Sequence, residues 1–347
     1  MSSIQPFRRR PFQPVVLLTL AALLPSLLGC GTSGSTTGTG TGDAGGFRLG
    51  AFVSDRNNPP GQTDLYLWDY DAKSFRNLPA VVRSTAAERH PTLSSDGRFI
   101  AFQINRGGGG GDDIEMYDRA RSTFVDLPGL NTGLDETEPV FTGDGLKLCF
   151  VQGSPRRIRF YNGQTKLLEA LPGLDTTGVG YNDYSPAPNR DGSLIAFVSD
   201  RTGSPDIYVW SRLHRGLIDG PKLHQALVSA GEDLDPSFSQ NGRFLTFTSD
   251  RAGGQGVHDL YLLEFVSSLS VNDTLLRDVH LANSPSDERH PGVSDNGAIL
   301  VFQSDRAGGL GRWDLWNFDR NSGDPPGQAL GYDSVGDEIE PSIKWPY

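Results

Sequence analysis

The sequence predicts an all-β fold, a six-bladed β-propeller in which the N- and C-terminal strands close one blade. Three observations carry this. Glycine (43) and proline (23) punctuate the 347 residues, a density that suits many short strands joined by turns. After residue 46 no stretch keeps apolar residues at helical spacing for more than about two turns. One phrase also returns: "ERHPTLSSDG" at 88–97 recurs as "ERHPGVSDNG" at 288–297.

Aligned on its turn glycine, the phrase occurs at Gly97, Gly145, Gly192, Gly242 and Gly297, at spacings of 48, 47, 50 and 55. A proline stands six residues earlier each time, at Pro91, Pro139, Pro186, Pro236 and Pro291, and a sixth copy starts at Pro341. Asp-Gly or Asn-Gly predicts a tight hairpin in which both central residues take φ > 0. A β-branched and aromatic second strand follows, as in "RFIAFQIN" and "SLIAFVSD". A glycine-rich loop, often opening Asp-Arg, leads to a third strand such as "DLYLWD" (64–69) or "DLWNFD" (314–319). A less regular fourth strand leads to the next proline. Each unit therefore holds four antiparallel strands. "FRLGAFVSDR" (47–56) is a second strand with no first, and "EPSIKWPY" (340–347) is a first strand with no second. Joined, they complete a blade and remove the open edges of the ring.

These phrases resemble the TolB-like β-propeller repeat, a distant relative of the WD-type repeat. Its pattern runs acid-x-x-Pro, Ser-x-Asp-Gly, Ile-Ala-Phe-x-Ser-Asp-Arg, then Asp-Ile-Tyr, and "SLIAFVSDRTGSPDIYVW" (193–210) is close to it. The resemblance covers residues 47–347. Blade 3 departs from it: "FVQGSPRRIRF" lacks the Ser-Asp pair and has Arg157 where other blades have Asp64, Asp113, Asp206, Asp259 and Asp314. The resemblance implies a non-catalytic binding or scaffold module that meets an envelope protein or peptide. Tol-system members of the family carry an additional N-terminal α/β domain. Here residues 31–46 alone precede the first blade, so a full Tol role is not expected and a Pal-like partner is implied by analogy.

An acid stands three residues before each repeat proline: Glu88, Glu136, Asp183, Asp233, Glu288 and Glu338. First strands line a propeller's channel, so these acids are expected as a ring near one mouth, where uncompensated carboxylates repel. Arg56, Arg106, Arg201, Arg251 and Arg306, with Arg156 as a looser sixth, recur after the second strands. One reading pairs acid and arginine between blades, with Asp64 and its equivalents closing the blade turns. The other leaves some acids free to hold a cation or a basic group of a ligand.

The residue before each proline varies: His90, Glu138, Ser185, Asp235, His290 and Glu340. In an extended strand it shares a face with the acid two residues earlier. His90, His290 and Glu340 have the donor chemistry of a transition-metal site. Oligogalacturonate lyases, related seven-bladed propellers, use a channel metal with histidine. The rival function is therefore a metal-dependent lyase or hydrolase of an acidic or sugar polymer. The leading expectation is no cofactor, with calcium or a transition metal in the channel as the alternative. No Gly-x-Ser-x-Gly elbow occurs, and "RGGGGGDD" (106–113) lacks the Lys-Ser/Thr of a phosphate loop.

The first residues differ in kind. Arg8–Arg10 precede the apolar run "PVVLLTLAALLPSLLG" (14–29), of signal-peptide length. It ends in "LLGC", which resembles the lipobox of bacterial lipoproteins, with Cys30 as the lipid-bearing thiol. "RRPF" (9–12) loosely resembles a twin-arginine export signal. Residues 31–46 are Gly, Thr, Ser and Ala apart from Asp43, a flexible tether. The domains expected are thus a signal peptide (1–29), lipidated Cys and tether (30–46), and propeller (47–347). The resemblance places the protein in the cell envelope, at the outer membrane if the host has two. Cys149, in the apolar "LKLCFV", is expected as a buried inert thiol, and no disulfide framework is possible. Past residue 29 the chain carries 28 basic and 42 acidic residues, a formal charge of −14. That disfavours nucleic acid and anionic lipid as partners and suits a monomeric body that meets cationic surfaces.

Overall fold

The structure, a computed structural model, describes residues 49–344 apart from 60–61, 70–71, 81, 83, 108–110, 144, 146, 175–179, 219, 267–273 and 329–336. The expected signal peptide, Cys30 and tether lie outside the described residues. Six four-stranded antiparallel sheets follow one another along the chain. Blade 1 joins both ends: Glu338–Lys344 pairs with Leu49–Ser54, followed outward by Asp64–Asp69 and Ser74–Arg76. The innermost strands of blades 2 to 6 are Glu88–Leu93, Glu136–Phe141, Asp183–Pro188, Asp233–Phe238 and Glu288–Val293. The fold is a six-bladed β-propeller closed by its terminal strands, as the split repeat predicts.

Each second strand is the apolar run that the sequence marks. Phe99–Ile104 and Leu194–Ser199 are buried along nearly their whole length, because both faces meet a neighbouring blade. Six apolar clusters result, one in each joint between blades. Between blades 1 and 2, Val53 and Leu65 meet Ile100 and Phe102. Among the described residues, the closing joint between blades 6 and 1 holds Phe52, Tyr66, Trp68 and Leu315. Cys149 is buried in the joint between blades 3 and 4, and burial pushes its thiol far up, so it is unreactive there.

The hairpin expectation needs one correction. Gly97, Gly192, Gly242 and Gly297 have φ between 65° and 71°, but the Asp or Asn before each does not take positive φ. The Gly97 amide instead donates to the Ser94 carbonyl (2.8 Å), and the Ser94 hydroxyl accepts from the Phe99 amide (2.9 Å). The side chain of Asp96 takes part in the turn by accepting from the Arg98 amide (3.0 Å). Glycine is required also for space: a Cβ at Gly297 would lie 2.6 Å from the Phe244 ring.

Candidate functional site: the channel mouth

All six residues before the repeat prolines have left-handed backbones, with φ from 46° at His90 to 55° at Glu340. A residue before proline ordinarily stays in the β region, and this conformation costs about 1–3 kcal/mol in a non-glycine residue. The pairing register shifts at the same place in each blade, for example between Arg89 and Thr92. Each first strand therefore carries a bulge. It breaks the side-chain alternation, so the acid and the residue two positions on do not share a face.

The six acids consequently do not line the channel. They are buried within the blades, at no more than 1% exposure, and in four blades each is locked by an arginine of its own blade. Arg56 reaches Glu338 (3.0 Å), Arg201 reaches Asp183 (2.7 Å), Arg251 reaches Asp233 (2.5 Å) and Arg306 reaches Glu288 (2.9 Å). The expected pairing between blades is thus pairing within them. Contact with the preceding connection is made through carbonyls, from Arg251 to Ala226 and from Arg306 to Ala282.

The repeated Ser-Asp-Arg now has a division of labour. The serine hydroxyl accepts from the arginine Nε, as at Ser199 and Arg201 (2.9 Å). The aspartate accepts from the amide just before the buried acid, as Asp250 does from Glu232 (2.6 Å). The guanidinium then lies over an aromatic ring of the third strand, 4.6 Å for Arg56 on Tyr66 and 4.5 Å for Arg201 on Tyr208. Burial still pushes the carboxyls of Asp233 and Glu288 up, more than their serine and arginine partners pull them down. Asp206, Asp259 and Asp314 hold loop groups, as expected of the blade-turn aspartates; Asp259 accepts from the Gln255 amide (2.9 Å).

Blades 2 and 3 lack this lock. Glu136 is held by Thr132 and Gln152 instead. Arg156, expected as a looser sixth member, lies 3.7 Å from Glu138 rather than on Glu136. In blade 2 Arg106 turns outward to Glu115 (2.6 Å). Among the described residues the Glu88 carboxylate is held by Ser84 alone, through its amide and hydroxyl, both at 2.9 Å.

The bulge delivers a different set to the channel. His90, Glu138, Ser185, Asp235, His290 and Glu340 line one cavity of about 190 Å³, with the six prolines and the smaller residues beyond them. Carboxylates reach the next blade's left-handed amide: Glu340 accepts from His90 (2.6 Å), Glu138 from Ser185 (2.6 Å) and Asp235 from His290 (3.3 Å). The second carboxylate oxygen faces an imidazole in two of these, 3.9 Å from His90 to Glu340 and 3.6 Å from His290 to Asp235. Burial pushes the Asp235 carboxyl up, but His290, Arg289 and the Thr248 hydroxyl together hold it below the ordinary value. His90 and His290 each retain about a third of their surface, so the mouth is open to a partner. Each histidine faces its own carboxylate, so His90, His290 and Glu340 do not converge. Among the described residues no three His, Cys, Asp or Glu side chains are placed to hold a metal.

No protein-family model matches the chain. It is 26% identical over 267 residues to the Tol-Pal system protein TolB of Francisella tularensis subsp. holarctica, an alignment covering 74% of this chain and 54% of that protein. The chain thus spans about half the length of the curated relatives it matches. The structure of TolB from Acinetobacter baumannii superposes with a TM-score of 0.62 at 17% identity, over 86% of this chain and 66% of that one. A putative TolB from Agrobacterium tumefaciens gives 0.54 at 15%, over 87% and 100%. The chain is a six-bladed β-propeller similar to these TolB proteins.

Two residues of this TolB-like mouth escape a reading by repeat position. Gln103 accepts from the Glu138 amide (3.3 Å) and Gln303 from the Glu340 amide (2.8 Å). They stand in blades 2 and 6, where histidine replaces the carboxylate that serves the next amide in blades 1, 3 and 5. The matching positions of blades 1, 3 and 4 hold Val53, Val151 and Val198, so the coincidence of Gln with His was a usable signal. Within the cavity, the amide nitrogen and oxygen of Gln240 are buried without a protein partner. Its turn is tied to its neighbours: Arg190 donates to the Gln240 carbonyl, and Asn241 donates to Asp295.

Proposed function

We propose that this propeller is a non-catalytic, envelope-anchored binding module that holds a partner protein against its channel mouth. The observation that carries the reading is the set of three carboxylates and two imidazoles that the six bulges bring to one opening. Fold alone does not name a function, but this set is only partly buried, charged and unlike the locked acids beside it. Its carboxylates also have structural work, since each accepts a neighbouring amide, while the second oxygen lies 3.6–3.9 Å from His90, His290 or Arg156, loose contacts that a cationic group of a partner would join or replace. Cys30 supplies a lipid anchor and residues 31–46 a tether, which keep a monomeric body within reach of one membrane on its periplasmic side. The relatives' name places them in the Tol-Pal system, and a Pal-type envelope protein is the first partner to test.

The experiment is affinity capture of a purified Pal-type protein from the same organism, using full-length chain in detergent. Wild type is compared with the isosteric triple variant E138Q/D235N/E340Q. The amide oxygens still accept the ring hydrogen bonds, so only charge is lost. Capture by the wild type and a clear loss in the variant supports the reading. Equal capture, or none by either protein, counts against this partner at this mouth.

A further inference from the structure

Blade 2 departs from the lock of blades 1, 4, 5 and 6 at three positions together. Ile104 replaces the serine that hooks the arginine, and its side chain is buried between blades 1 and 2. Asn105 replaces the aspartate. Glu115 replaces the aromatic residue (Tyr66, Tyr208, Tyr261 or Trp316) over which the guanidinium lies elsewhere. The outcome, among the described residues, is two carboxylates for one arginine. Arg106 makes a two-pronged contact with Glu115 at 2.6 and 2.7 Å, with its side chain about half exposed. Glu88 is fully buried, and its Oε2 has no hydrogen-bond partner.

The loop that carries Arg106 reaches the mouth. Asn105 donates to Asp112 (2.8 Å), and so does Gln103 (2.7 Å). The Asp112 carbonyl accepts from the Glu136 amide (2.7 Å), and Gln103 holds the Glu138 amide at the channel. Displacing Arg106 therefore bears on Asn105, Asp112 and Gln103 in turn.

We propose that Arg106 is a two-position latch: outward on Glu115 in the structure, it turns inward onto Glu88 when that carboxyl loses its proton, and so resets the hydrogen bonds from Asp112 through Gln103 to the channel mouth. Charged groups face Glu88 from two sides, Asp64 of blade 1 and Arg106 itself. Burial pushes the Glu88 carboxyl up to about 7, with Asp64 adding to the rise and Ser84 and Arg106 opposing it. Below that pH the inner station is neutral and Glu115 keeps the guanidinium. Above it the buried carboxylate competes, as its equivalents do in four other blades. The proton leaves to solvent, and no other covalent bond changes.

The test is amide hydrogen exchange by mass spectrometry on the full chain between pH 6 and 8.5, corrected for the intrinsic rate at each pH. The peptides spanning 103–115 and 136–141 are followed. Wild type is expected to change protection in both, with one midpoint near 7. E88Q should hold the low-pH pattern throughout, and E115Q the high-pH pattern. The latch is overturned by a wild-type protection that does not vary with pH. It is equally overturned by a transition that survives unchanged in E88Q. E115Q alters only a partly exposed pair, so it reports even if E88Q is poorly folded: an unshifted wild-type transition in E115Q also overturns the proposal.

Discussion

At the residue scale, the same acid-arginine pair has different consequences by location. Asp233 and Arg251 are both largely removed from water. Removing one partner of such a pair leaves an uncompensated buried charge. R251A is expected to destabilise by about 3–5 kcal/mol in a denaturant melt. Arg106 is exposed and Glu115 partly so, and R106A at pH 6 should cost at most about 1 kcal/mol. Equal losses would contradict the assignment of locked and unlocked blades. Glu88 gives a pH signature whose sign is fixed. Its folded pKa of about 7 lies above the ordinary 4.5. The stability gained by burying the neutral acid is therefore complete below about pH 4.5 and lost as pH rises to about 7. E88Q removes that loss, so its advantage over wild type should grow across this window, by up to about 3 kcal/mol. A constant difference from pH 4.5 to 8 would mean Glu88 is not the group that titrates.

At the element scale, the bulge in the first strand decides which side chains face the channel. The sequence repeats acid-x-x-Pro clearly, yet strand periodicity puts the acid and the residue before proline on one face. Six left-handed residues overturn that, and neighbouring-blade acceptors such as Glu340 and Gln303 take the amides of five of them. No local rule predicts positive φ before proline, and the partners are supplied by other repeats. The acids, the arginines and the blade-turn aspartates were legible one by one; their separation from the mouth was not. His290 tests the element. H290G suits φ of 48° and should change stability little, since glycine takes positive φ freely. H290V, β-branched, should destabilise by roughly 1–3 kcal/mol. Thermal melts that rank the two variants the other way would refute the bulge.

At the scale of the whole molecule, repeat count and ring closure were readable because they rest on spacing, which tertiary context does not alter. The closing joint depends on Glu338–Lys344, which supplies the first strand of blade 1 and the acid that holds Arg56. Deleting residues 338–347 uncovers the edge Leu49–Ser54, and an open edge invites pairing with other chains. The truncated chain is expected to aggregate on size-exclusion chromatography; a monomer that melts cooperatively like wild type would contradict closure. Under the proposed function, the charge at the mouth is the centre of a tethered binding device. Calorimetric titration of a purified Pal-type protein into the full-length chain, wild type against E138Q/D235N/E340Q, measures that charge directly. The account predicts binding by the wild type and at least about tenfold weaker binding by the variant, roughly 1.4 kcal/mol or more, at unchanged melting temperature; indistinguishable affinities, or no binding to the wild type, would contradict it.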